Sequence, residues 1–117
     1  MSSFTDPLTV TKIGARTWRV ERAFTYFIGT ENSDNFIVVP NGFETDFASV
    51  PRFFWRILPP DGEYTQAAVL HDFMITHGWL KSTSDFVFYE AMGVLQVPSW
   101  KRSVMFFAVR MFHLFQK

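Results

Sequence analysis

Cysteine is absent from this chain of 117 residues, which excludes a disulfide framework, a thiolate nucleophile and a thiolate metal site. An excess of either charge is missing too. Eleven Lys and Arg balance 11 Asp and Glu, the pI is near 6.8, and no global field would draw the chain to nucleic acid or an anionic membrane. Direct nucleic-acid binding is therefore not expected. There is no long hydrophobic run. The most apolar stretch, Val104 to Phe115, is interrupted by Arg110 and His113 and falls short of the ~20 residues a spanning helix needs. Asp6, Lys12, Arg16, Arg19, Glu21 and Arg22 break up the opening segment, so no signal peptide is read there and synthesis in the cytoplasm is expected. Gly-x-Gly-x-x-Gly, the Walker pattern, His-Glu-x-x-His and Gly-x-Ser-x-Gly do not occur. The metal phosphohydrolases with a His-Asp doublet need a further upstream His, and no His precedes His71.

What is abundant is aromatic. Hydrophobic residues make up 48% of the chain and aromatics 19%, with 15 Phe and 4 Trp. A chain of this size makes one domain with a genuine core but a limited interior. Some of the surplus is expected at the surface, facing another subunit, a partner or lipid. Neutral charge weakens colloidal protection and points the same way, toward a permanent component of an assembly.

The hydrophobic period changes once. From Thr17 to Ile28, Trp18, Val20, Phe24, Tyr26 and Ile28 alternate with polar residues, which is the pattern of strands. Arg22 is the odd member of the apolar face and marks a bend, a sheet end or a buried pair. Turn residues at Gly29 to Asp34 and at Pro40-Asn41-Gly42 flank another strand, Asn35 to Val39. From Glu63 the period is helical. Tyr64, Ala67, Ala68, His71, Met74 and Ile75 share a face, and Gly78 is a left-handed stop. Ser82 and Asp85 read as a capping box opening the next helix, which Gly93 ends. Pro98-Ser99 introduces a third helix, on which Arg102, Ser103, Arg110, His113 and Lys117 form a narrow basic stripe. The expectation is an α+β domain: an N-terminal antiparallel sheet of three or four strands over about 8–44, a polar loop at 45–62, and helices at about 63–77, 83–92 and 99–115.

Two segments concentrate chemistry. In Thr45-Asp46-Phe47-Ala48-Ser49-Val50-Pro51-Arg52, Asp46 is a candidate metal ligand or base, Ser49 a positioning hydroxyl and Arg52 an anion binder. The same residues also fix turns, and Arg52 can simply pair with Asp46. In the helix that follows, His71 and Asp72 diverge by about 100° and must serve different neighbours. His71 is either a core imidazole or a general base. Asp72 is either a partner to Arg52 or Arg56 or part of a site. Asp85 could join His71 from the next helix, although capping accounts for it locally. His77 and His113 are expected to be solvated. Whether a metal or other cofactor binds is left open by the residues.

The loop, the Ala-Ala-x-Leu-His-Asp helix (Ala67 to Asp72) and Ser84-Asp85-x-x-Phe88, in that order, resemble the domain of unknown function 1353 family over about Phe36 to Phe112. Ile75 stands where the family commonly has Tyr, and Ser84 where it has Ala. The resemblance implies small proteins of tailed phages and prophages, made alongside late structural or lysis functions, and supplies no reaction. The leading expectation is a virion or assembly component, made in the host cytoplasm and built into the virion, that binds other phage structural proteins and itself. The rival is a hydrolase of the host envelope, with His71 as base, Asp85 or Asp72 orienting it or holding a metal, and Arg52 on an anionic group. A third reading is membrane contact through the helix Trp100 to Lys117.

Overall fold

The computed structural model describes residues 2–15, 17–30, 33–46 and 64–115. The chain divides into two compact units, Met1–Asp46 and Phe47–Lys117. The class is α+β, with strands first and helices after.

Among the described residues the first unit holds six short strands, β1 (Ser3–Phe4), β2 (Val10–Lys12), β3 (Trp18–Val20), β4 (Phe24–Phe27), β5 (Phe36–Val39) and β6 (Glu44–Thr45). They form two antiparallel sheets of three strands each, ordered β1-β4-β5 and β2-β3-β6. The period-two run breaks at Arg22, so β3 and β4 belong to different sheets. Arg22 sits in the bend between them, exposed, with its guanidinium 2.8 Å from Asp6. In the β4–β5 ladder Phe24 faces Val39 and Tyr26 faces Ile37, and all four are buried. Phe27 and Phe36 meet on the opposite face at 5.9 Å. Gly42, at φ 97°, turns the chain from β5 into β6.

The second unit is built on α1 (Thr65–Thr76), α2 (Lys81–Val94) and α3 (Ser99–Phe115), with α2 packed against both neighbours. Ala67, Ala68, Val69, Leu70 and His71 are all fully buried, so α1 is enclosed on every side through its middle turns. Helix α1 ends in a Schellman motif. Gly78, at φ 83°, donates its N–H to the Ile75 carbonyl, while the Trp79 N–H returns to Met74.

Helix α2 departs from expectation at both ends. It begins at Lys81 behind an N-cap Leu80 with no side-chain cap, so Asp85 lies past the first turn and caps nothing. Gly93 lies inside the helix. The stop is Gln96, a non-glycine residue at φ 65°, with the Gln96 and Val97 N–H groups returning to the carbonyls of Gly93 and Met92.

Candidate functional site

Asp85 is the point at which all three helices meet. Its side chain is fully buried, and each carboxylate oxygen accepts hydrogen bonds from a different helix. Oδ1 receives His71 Nε2 of α1 at 2.7 Å. Oδ2 receives Arg110 Nη1 at 2.9 Å and His113 Nδ1 at 3.0 Å, both from α3. A carboxylate only accepts, so each imidazole presents an N–H to it. The His71 and His113 rings stack at 5.5 Å with an interplanar angle of 18°, and Phe88, one turn along α2 from Asp85, closes over His71 at 4.9 Å. Among the described residues every buried side-chain nitrogen and oxygen has a hydrogen-bond partner.

The local sequence explains why these groups converge. Met105, Val109 and His113 recur every four residues on α3 and are all buried. Arg102 and Arg110 flank that same face. Of the stripe expected to be basic, Arg102, Arg110 and His113 therefore turn toward α2, while Ser103 is exposed. Arg102 Nε donates to the Val97 carbonyl at 3.0 Å while its guanidinium lies 5.1 Å over the Tyr89 ring. Solvation of His113 was the wrong reading, because its neighbours at one and two turns are core residues. The capping role of Asp85 was wrong for a similar reason: its partners lie 14, 25 and 28 residues away.

Electrostatics follow from the burial and the bonds. Burial alone would push the Asp85 carboxyl up. Hydrogen bonds from His71 and His113, together with any charge on those rings, outweigh burial and hold it below the ordinary carboxylate value. His113 is pushed down, because burial outweighs the hydrogen bond and the negative charge of Asp85. Arg110 supplies the positive charge that balances the buried carboxylate.

Asp72 is half-buried on α1, and its carbonyl accepts a hydrogen bond from Thr76 Oγ1. Asp46 is exposed just after β6 in the first unit. Ser49, Arg52 and Arg56, with the rest of the polar loop, lie outside the described residues. His77 is exposed as expected, donating from Nδ1 to the Phe73 carbonyl at 2.9 Å and stacking on the Phe73 ring.

His71, Asp85 and His113 could hold a metal by donor type, with ligand atoms within 4.8 Å of one another. Ligation through the ring nitrogens that now face Asp85 would require both imidazoles to give up their N–H bonds to it. A divalent ion would also have to share that single carboxylate with Arg110. As arranged, the cluster works as a hydrogen-bonded junction of three helices.

Comparison with known proteins places the chain in a family. Residues 18–109 match the family described as Protein of unknown function (DUF1353), a span that includes His71, Asp85 and most of α3. The chain is also 38% identical over 74 residues to "Uncharacterized protein y4jT" of Sinorhizobium fredii (strain NBRC 101917 / NGR234), a match covering 61% of this chain and 22% of that protein. The chain thus spans about a fifth of the length of this curated relative. No solved structure matches. With most of its length inside the family match, the chain belongs to the DUF1353 family.

Proposed function

We propose that this chain is a phage- or prophage-encoded virion or assembly component that works by binding other subunits. It would be made in the host cytoplasm and carried into the particle. The observation that supports this most is the closure of the Asp85 junction, where neither His71 nor Asp85 exposes any side-chain surface. A general base must reach a proton on its substrate, whereas these groups are spent on holding helices together. The outward face of α3 supports the same reading, since large apolar side chains there stay exposed. In the Sinorhizobium relative the matched stretch is a minor part of a longer protein, as suits a unit that acts alongside other structure.

One observation favours the envelope-hydrolase alternative. A His held at 2.7 Å by a buried carboxylate is the arrangement that orients a general base. Two measurements separate the readings. The protein should be detected by antibody in particles purified from a lysate of the encoding phage. A folded His71→Gln protein should support normal particle yield and release. Absence from particles, or loss of cell-wall release in a His71→Gln protein of unchanged secondary structure, would overturn the assembly role.

A further inference from the structure

Apart from Lys101, which lies over the Trp100 ring, the described charged residues of α3 turn toward α2 while its large apolar side chains turn outward. Trp100, Val104, Phe107 and Leu114 are 61%, 41%, 65% and 65% exposed, and the half-buried Met111 completes the row. Their spacing is four, three, four and three residues, the repeat of a coiled-coil seam. The buried row through Met105, Val109 and His113 lies on the other side of the helix and is already used by α2.

We infer that this outward seam pairs antiparallel with the same seam of a second copy of the chain. The inference rests on the assembly reading and names its partner. In an antiparallel pair, the four layers between residues 100 and 111 set Trp100 against the partner copy's residue 111 and Val104 against its residue 107, so a bulky side chain meets a smaller or more flexible one in each, with Leu114 at the rim. A parallel pair would instead stack Trp100 on itself and Phe107 on itself, leaving layers of unequal width. The face is therefore self-complementary about a two-fold axis near the middle of the helix. Zero net charge means that two copies do not repel each other.

The area is at the small end for a specific pair. Taking aromatic side chains at ~150–250 Å² each and the exposures above, each copy offers on the order of 500 Å². The pair would bury about 1,000 Å², the lower bound for a specific interface. Lipid fits less well, because an interfacial helix needs cations flanking its apolar face. Here Arg102, Arg110 and His113 are committed to Val97, Tyr89 and Asp85, which leaves Lys101, over the Trp100 ring, as the one further cation of α3 among the described residues. No helix among the described residues is long and apolar enough to cross a membrane.

Sedimentation equilibrium of the purified chain should show a dimer, and Phe107→Glu should raise its dissociation constant at least about tenfold with an unchanged far-UV spectrum. Trp100→Glu should do the same, so one poorly folding variant does not spoil the test. Direction is read by cross-linking, for which the cysteine-free sequence is a clean background. A mixture of Trp100→Cys and Met111→Cys chains should form a disulfide-linked heterodimer, and Trp100→Cys alone should not link. A wild-type monomer at every concentration, a dimer indifferent to Phe107→Glu, or self-linking of Trp100→Cys would each overturn the seam. So would a monomer that floats with phosphatidylglycerol vesicles. A monomer still found in particles would defeat the seam and leave the assembly role standing, whereas a dimer absent from particles would do the reverse.

Discussion

Arg110 and Asp85 meet across the α2–α3 contact with Nη1 2.9 Å from Oδ2, the charged carboxylate fully buried and the guanidinium reaching it from the partly open side. The charge balance of the junction depends on this pair. Asp85 also satisfies donors from His71 and His113, so its removal leaves a half-buried cation and two buried imidazole N–H groups without their acceptor.

Asp85→Ala should therefore lower the unfolding free energy by roughly 2–6 kcal/mol, since two buried imidazole N–H groups lose their acceptor at about 1–3 kcal/mol each. Arg110→Ala should cost less, because water can reach the Arg110 position and two donors to Asp85 remain. Urea denaturation followed by circular dichroism would measure both. Equal costs for the two variants would show that Asp85 is not the hub.

Stability should fall on acidification in two stages. His113 protonates less readily when folded than when unfolded, so its contribution is complete above the ordinary value of ~6.5 and is lost as pH drops toward its folded value. The Asp85 carboxyl is likewise held low, so its contribution persists above the ordinary ~3.9 and is lost as pH falls through its folded value. Both groups bind fewer protons in the folded state, and both effects have the same sign. The melting temperature should be level above about pH 7, decline below the His range and drop again in the carboxylate range. A melting temperature that rose between neutrality and mild acid would contradict this assignment.

Zinc should leave the melting temperature unchanged at equimolar metal, since the Asp85 charge is answered by Arg110 and both imidazoles donate to the carboxylate. Differential scanning fluorimetry with zinc and with a chelator makes the comparison. A rise of several degrees that disappears in His113→Ala would identify a metal centre instead.

Gly93→Ala should fail to deliver the gain of about 1 kcal/mol usual for an interior helical glycine. A β-carbon there would stand 3.0 Å from Arg102 Nη1, and that guanidinium is held by the Val97 carbonyl and the Tyr89 ring. The same substitution in an Arg102→Ala background should recover the gain. Thermal melts of the four chains complete the cycle, and a stabilised single Gly93→Ala variant would show that Arg102 yields easily.

The order of strands and helices was legible because it rests on local period. Gly78 was legible because a left-handed stop favours glycine. Gln96 was not, since nothing in its side chain announces a positive φ and the turn is imposed by bonds back to Gly93 and Met92. Half of the junction was in view, with His71 and Asp85 paired as candidates. The other half was hidden by a reading of polarity. On α3 His113 was assigned to solvent, although it shares its face with Met105 and Val109. Helical spacing identifies which residues lie together. It does not say whether a face of mixed character turns in or out. Asp85 poses the same problem, because a local capping rule competes with tertiary partners that local sequence does not reveal.

Because one carboxylate serves three helices, the effects of substitutions at His71, Asp85, Arg110 and His113 are not separable. Loss of any one changes what the other three positions can tolerate, so single-site scans will overstate each and double substitutions will cost less than their sum. An altered Asp85 could persist in a relative only where its three donors had changed with it. These four positions should drift as a block, or not at all.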